Sequence, residues 1–405
     1  MKALLITTGS RGDVEPFIAL ARGLIDRGHV PTVAAPARFA CLAAEHGVAF
    51  HALDDSLLDL QDALARGGSI RAITGVSKAR AAFERFLIDV ATLVDVQTDV
   101  VVYHPKTLAA PMVAERQGVP SVAAQLIPLY QPTAEFSAPV VSTRFPRFLN
   151  RATWKLVPAI EAPWRKILQQ LRREKFGLTT PLVSMSERIR DQGALNAWSP
   201  HLLAAPPEWD AHAAPLGFWR LPESNWSPPA GLVDFLAAGD APVYVGFGSM
   251  VHKRPTELGK TITSGLRAAG RRGIVAIGSG ALAPTGDDDI FVLDHAPHAW
   301  LFPRVAAAVH HGGVGTVAAA LTAGTPQVIK PFLGDQHFWS RRAETVGAAV
   351  PLGTLTPEAI ARAVTIAIDT VTPRARSVAR GIRNEHGIEA AIDRLEHLSL
   401  RTSSP

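Results

Sequence analysis

Apolar residues along this chain fall into two rhythms. The first is the short continuous run that marks a strand buried on both faces: Ala3–Thr8 before Gly9, Val30–Ala35, Val48–His51, Val100–Tyr103 and Ser121–Gln125. The second is helical spacing between those runs. Glu15–Arg27 carries Phe17, Ile18, Leu20, Ala21, Leu24 and Ile25 and stops at Gly28, while Ala37–His46 and Leu108–Gln117 read the same way. Downstream the alternation restarts. Pro242–Phe247, Gly273–Ile277, Ile290–Leu293, Val305–His310 and Gln327–Lys330 read as strands; Thr256–Ala269, Val314–Ala323 and Gln336–Val346 read as helices. Strands alternating with helices build parallel βαβ units, which predicts the α/β class with doubly wound sheets.

Two stretches break the rhythm. Pro128–Thr180 has aromatic residues (Phe136, Phe145, Phe148, Trp154, Trp164) and a basic helical stretch near Trp164–Lys175, but no strand pattern. It reads as an insertion near 128–180 that caps the first sheet. Pro206-Pro207, Pro215, Pro222 and Pro228-Pro229, with Trp209, Trp219 and Trp226, mark a loop-rich connector. The expected organisation is a Rossmann-like domain over 1–215, a linker over 216–230, a second Rossmann-like domain over 231–380, and a C-terminal helix and tail over 381–405 that can cross back to the first domain. Ligands of such sheets sit beyond the carboxyl ends of the strands. The two domains are therefore expected to face a central cleft that holds the site.

Composition narrows the class. The chain has 405 residues, 47% hydrophobic and 19% charged, which is material for packed cores rather than disorder. Its formal charge is +5 with cations and anions interleaved. That fits an anionic small molecule, or weak peripheral attraction to an anionic membrane surface, and not the dense basic stripe of a nucleic-acid binder. Cys41 is the lone cysteine, so no intrachain disulfide and no paired-cysteine zinc site is expected. The N-terminal apolar run is too short for a signal-peptide core, and no run approaches the roughly 20 apolar residues that span a bilayer. A cytoplasmic location is the expectation.

Three turns can carry chemistry. His310-His311-Gly312-Gly313-Val314-Gly315-Thr316 joins an apolar strand to an alanine-rich helix. Free N–H groups at a helix start, with no side chains in the way, suit a phosphate; a tight strand-to-helix turn is the other reading of the same residues. Gly246-Phe247-Gly248-Ser249 also follows a strand, and a second glycine turn is what a phosphate cleft needs. In Gly9-Ser10-Arg11-Gly12-Asp13 the carboxylate stands near a helix start, as a cap or as a base. His51, His104, His201, His212 and His252 show no ligand spacing. Asp287-Asp288-Asp289 follows a Gly/Pro loop and reads as solvated, so no metal is expected.

The run DHAPHAWLFPRVAAAVHHGGVGTVAAALTAGTPQVIKPFLGDQ from Asp294 to Gln336, with GSRGDVEPFIALARGLIDRGH near the N-terminus, resembles family 1 glycosyltransferases of the GT-B fold. The nearest flavour is the sterol and macrolide-type branch, which includes bacterial sterol glucosyltransferases. The resemblance implies an inverting transfer of glucose from UDP-glucose to a hydroxyl of an apolar acceptor such as a sterol, with no further cofactor. It implies that Asp13 is the base. It places Ser249, His311, Gly313, Gly315 and Thr316 on the diphosphate, Asp335 and Gln336 on the sugar hydroxyls, and His295 beside the base. Gln125, Ile127, Phe136 and His104 would line the acceptor pocket. Plant members carry Trp where this chain has His295, and a ribose-binding Glu where it has Ala319. Those departures leave room for a TDP-deoxysugar used on a polyketide or glycopeptide. A sugar-nucleotide 2-epimerase and a non-catalytic sugar-nucleotide binder are the other readings of the same fold.

Overall fold

A computed structural model describes residues 1–65, 72–143, 145–221, 226–248, 254–278, 282 and 288–402. The chain divides into two compact units, one of Met1–Leu64, Ser69–Pro222 and Glu385–Pro405, the other of Ala65–Gly68 and Glu223–Asn384. Each is built on a six-stranded parallel sheet.

In the first unit β1 (Lys2–Ile6), β2 (Val30–Pro36), β3 (Ala49–Leu53), β4 (Val100–Tyr103), β5 (Ser121–Gln125) and β6 (Ala194–Asn196) lie in the order β3-β2-β1-β4-β5-β6. In the second, β7 (Val243–Gly246), β8 (Gly273–Ala276), β9 (Ile290–Leu293), β10 (Ala307–His310), β11 (Gln327–Ile329) and β12 (Ala349–Pro351) lie in the order β12-β11-β10-β7-β8-β9. The two orders are the same doubly wound topology. Each sheet reverses direction of growth once, between β1 and β4 in the first unit and between β7 and β10 in the second. The turns leaving those strand pairs flank a crevice, which is where a parallel sheet receives a ligand.

The strands form because both faces are covered. Leu4, Leu5, Ile6, Val33, Val100, Val101 and Val102 are fully buried, each contributing about 1.5–3 kcal/mol by leaving water. The helix Arg11–Asp26 packs Val14, Phe17, Ile18, Leu20, Ala21 and Leu24 inward. It ends at Gly28, whose φ of 79° closes the last turn. Its Gly23 admits Ile388 of the helix Gly387–Thr402: a Cβ at Gly23 would lie 2.4 Å from the Ile388 side chain. Arg27 pairs with Asp393 at 2.7 Å across the same contact.

Several expected boundaries move. The first helix begins at Arg11 rather than Glu15, because Ser10 and Asp13 close its start and Pro16 is accommodated one turn in. Ala37–His46 is a 3-10 turn, Ala37–Phe39, followed by the helix Ala40–Glu45. The run Val305–His310 enters the sheet only at Ala307, after a 3-10 turn at Phe302–Arg304. β6 and β12 were not expected; each is three residues long at a sheet edge, too short to show a period. Helices Ser56–Ala65 and Ala72–Ala91 fill the stretch between β3 and β4. Within Pro128–Thr180 the described residues are short helices and turns, including Arg147–Thr153 and Arg165–Glu174. Among the described residues no helix is long and apolar enough to cross a membrane.

Candidate functional site

The first unit assembles a charged cluster where β1 and β4 end. Asp13 sits in the opening turn of its helix. Its Oδ2 accepts the Ser10 backbone N–H at 2.8 Å and the Ser10 hydroxyl at 3.0 Å. Its Oδ1 accepts Lys106 Nζ at 2.6 Å and lies 3.6 Å from His104 Nε2. His104 follows β4 directly and is buried. Its Nδ1 accepts the Lys106 backbone N–H at 3.0 Å, so the ring proton belongs on Nε2, the atom facing Asp13. Residues more than 90 positions apart in sequence meet here because β1 and β4 are neighbours in the sheet.

The electrostatics of the cluster oppose one another. Burial raises the Asp13 carboxyl, but the Lys106 ammonium and the bonds from Lys106 and Ser10 more than offset it, and the net pKa is lowered. Asp13 is therefore an ionised acceptor at neutral pH. Burial, reinforced by the Lys106 charge, pushes His104 down to about 3, so it is neutral. Neither Ser10 nor Lys106 was singled out from the sequence. Lys106 lies on the far side of Pro105 from His104, and only the folded turn brings its ammonium to Asp13.

The second unit brings three glycine turns together beyond β7, β8 and β10. His310 is fully buried. Its Nδ1 accepts the Gly312 N–H at 3.1 Å and its Nε2 meets Gln327 Oε1 at 3.0 Å. Burial lowers its pKa to about 3, so it is a neutral brace for the turn. Gly312 takes φ 90°, and a Cβ there would lie 2.8 Å from Ile329 and 3.2 Å from the Gln336 carbonyl oxygen. His311 lies between two glycines. A Cβ at Gly313 would come to 2.6 Å from its Nε2, and one at Gly248 to 3.0 Å from its Cε1. A Cβ at Gly278 would in turn meet the Gly248 carbonyl oxygen at 2.6 Å.

Two observations give this turn a chemical direction. His311 Nδ1 is buried with no hydrogen-bond partner among the described residues, and burial lowers that ring to about 4. A buried polar atom without a partner is costly unless a ligand takes it up. Gly313 caps the helix Val314–Ala323, whose first N–H groups have no intrahelical acceptor. Gly315 lies in that first turn, exposed, and a methyl there would meet nothing within 4 Å. The fold itself thus places no demand on its lack of a side chain. Thr316 is half-buried beside it.

The remaining expected residues are distributed as follows. Asp335 stands immediately before the helix Gln336–Thr345, at its N-cap position. Gln336 Oε1 accepts the N–H groups of Phe332 at 2.9 Å and Leu333 at 3.2 Å, so its carboxamide also shapes the preceding loop. His295 is exposed. Its neighbour His298 is held, stacked on Phe302 at 4.4 Å between centroids and 3.2 Å from the Tyr244 hydroxyl. Ser249 lies outside the described residues, as does Asp287, while Asp288 and Asp289 are exposed. In the first unit Gln125 bridges Asn196 Oδ1 at 3.2 Å and the Tyr130 N–H at 3.3 Å. Phe136 is buried against Trp154 and Trp209, and Ile127 is half-buried after β5. No group of three or more His, Cys, Asp or Glu among the described residues could hold a metal ion.

Comparison with known proteins decides the family. Residues 3–134 match the glycosyltransferase family 28 N-terminal domain, and residues 274–390 match the erythromycin biosynthesis protein CIII-like C-terminal domain. Two sterol 3-beta-glucosyltransferases of Arabidopsis thaliana match 97% of the chain at 30% and 31% identity, and the chain covers 64% and 67% of their lengths. The chain belongs to the GT-B glycosyltransferases. It spans 27% of a Cryptococcus neoformans sterol 3-beta-glucosyltransferase, at 31% identity. Its fold is that of the calicheamicin glycosyltransferase CalG4, with a TM-score of 0.71 over 100% of this chain and 99% of that one, at 21% identity. Asp13 follows β1 and the His311–Gly315 turn follows β10, each a strand that borders the switch point of its own sheet.

Proposed function

We propose that this chain transfers a sugar, with inversion, from a nucleoside diphosphate to a hydroxyl of an apolar acceptor, glucose from UDP-glucose to a sterol being the favoured pair. The observation that carries the reading is the pair of switch-point sites: an ionised carboxylate in one unit and an anion-receptive glycine turn with an unpartnered imidazole nitrogen in the other. The sterol choice rests on what the relatives are named for.

In the proposed reaction the acceptor oxygen attacks the anomeric carbon as the bond to the diphosphate oxygen breaks. The hydroxyl proton passes to Asp13 Oδ1, beside Lys106 and His104. The nucleoside diphosphate leaves with its added negative charge on the turn Gly312–Thr316, where the helix N–H groups and His311 would meet it. An α-linked donor yields a β-glycoside. Asp335 and Gln336 would orient the sugar hydroxyls, and His295 or His298 the nucleoside base.

A second donor reading has an observation of its own. Ala319 supplies no carboxylate for ribose hydroxyls, and a TDP sugar lacks the 2′-hydroxyl that such a group would hold. Thermal-shift titration with UDP, TDP and GDP, followed by mass spectrometry with a panel of hydrophobic alcohols, separates the two. Stabilisation by UDP and a sterol glycoside support the first reading; stabilisation by TDP alone overturns its donor. Sugar epimerisation without any acceptor would replace transfer altogether.

A further inference from the structure

The insertion in the first unit turns a face of unusual composition to solvent. Along 145–166 the buried positions are Asn150, Thr153, Trp154 and Val157, at helical spacing. They are fixed from beneath: Asn150 donates to the Ala134 carbonyl at 3.0 Å, Thr153 Oγ1 accepts the Ala138 N–H at 2.8 Å, and Trp154 Nε1 donates to the Phe136 carbonyl at 3.2 Å. The opposite spacing is Phe148, Ala152, Leu156 and Ile160, and it is exposed: Phe148 is 82% accessible and Leu156 54%. Phe145, Leu149 and Val140 border it, also exposed.

Charge on this segment has one sign. Arg147, Arg151, Lys155, Arg165 and Lys166 are all exposed, against the single half-buried Glu161 within 145–166. Two further acids, both exposed, lie beside it and are engaged. Glu135 pairs with Arg147, and Glu208 accepts the Ala134 N–H at 3.0 Å and the Thr133 hydroxyl at 3.1 Å.

We propose that this face of the insertion docks on an anionic lipid bilayer, with Phe148, Leu156 and Ile160 entering the interface and Arg151, Lys155 and Lys166 meeting lipid phosphates and carboxylates. Projecting apolar side chains among an excess of cations suit a position in a charged lipid surface. Long basic side chains keep their ammonium and guanidinium groups at headgroup level while their stems cover apolar surface. An acidic protein groove would satisfy the cations equally, but it would not call for an aromatic ring that stands 82% clear of the molecule.

The test is co-sedimentation of the full chain with vesicles of phosphatidylcholine alone or with phosphatidylserine, at low and high salt. Binding is expected with phosphatidylserine, weakened by salt. At about fivefold per cation, replacing Arg151, Lys155 and Lys166 together with Glu should cut the partition by about 100-fold or more. Phe148→Ser should reduce binding at both salt levels. Both variants should keep the wild-type melting temperature and nucleotide affinity, because the substituted side chains are exposed. No binding to phosphatidylserine vesicles at low salt, or equal binding by wild type and the triple variant, would overturn the proposal. So would a soluble acidic protein that binds the wild type while the vesicles do not.

Discussion

Gly313 and Gly315 stand two residues apart in the same turn, yet the structure asks different things of them. A methyl on Gly313 falls 2.6 Å from His311 Nε2, where ordinary contact begins at 3.4 Å. The ring would have to move by about 0.8 Å, and Gly248 closes its other side. Overpacking of that size costs about 1–3 kcal/mol, so Gly313→Ala should lower the melting temperature of the protein. It should also weaken the donor, because a hydrogen bond to a charged group contributes about 1.5–3 kcal/mol, or roughly 10–150-fold in affinity. A methyl on Gly315 meets no atom within 4 Å. Alanine in a helix is favoured over glycine by up to about 1 kcal/mol, so Gly315→Ala should leave the melting temperature unchanged or raise it. If the diphosphate approaches that first turn, the same variant should still lose about tenfold or more in nucleotide affinity. Calorimetric melting and isothermal titration with UDP and TDP read both quantities on both variants. Wild-type nucleotide affinity in Gly315→Ala would refute the placement of the phosphates at this helix start.

Further outcomes follow from the two clusters. Asp13→Asn should retain nucleotide affinity while kcat falls by about 10²–10⁴, the usual contribution of a positioned base; steady-state kinetics beside titration checks it. Lys106→Met removes the charge that holds Asp13 down, leaving burial to raise it. The acid limb of the kcat/KM profile should therefore move to higher pH, whereas Lys106→Arg should keep it near the wild-type position. The buried neutral histidines set the acid stability. His104 and His310 are lowered to about 3 and His311 to about 4. Between those values and the ordinary 6.5 the unfolded chain binds protons that the folded chain refuses. Stability should thus be complete above 6.5 and fall as the pH drops toward 4, by about 1.4 kcal/mol per pH unit for each histidine. A melting temperature that stays flat from pH 7 to pH 5 would contradict it.

Much of the fold was legible in the chain because its strands are continuous apolar runs buried on both faces, as β1 and β4 are. The edge strands β6 and β12 were not, since three residues display no period. The start of the first helix was misplaced because its regular apolar spacing becomes apparent only from Phe17, while the residues that close the start, Ser10 and Asp13, lie earlier. In the second unit the histidine-glycine turn could be read locally: an apolar strand, two histidines and a run of glycines state their own geometry. The bracing of His310 by Gln327 could not, because it depends on β10 lying beside β11. The same holds more strongly for the first unit. Asp13 was visible as a carboxylate at a helix start, but its contact with Lys106 and His104 exists only because β1 and β4 are adjacent across the switch point. Local pattern carries no record of that adjacency. His298, held by Tyr244 and Phe302, and the exposed His295 stand in one motif with no local sign to tell them apart: only packing separates them.

Supplying the protein with UDP-glucose and a sterol, and following the nucleotide by chromatography and the anomeric configuration by NMR, tests the proposed transfer itself. UDP and a sterol β-glucoside are expected in equal amounts from the wild-type chain, and both should form about 10²–10⁴ times more slowly with Asp13→Asn. Release of UDP with only free or epimerised sugar, or nucleotide binding with no glycoside on any hydrophobic alcohol, would contradict it.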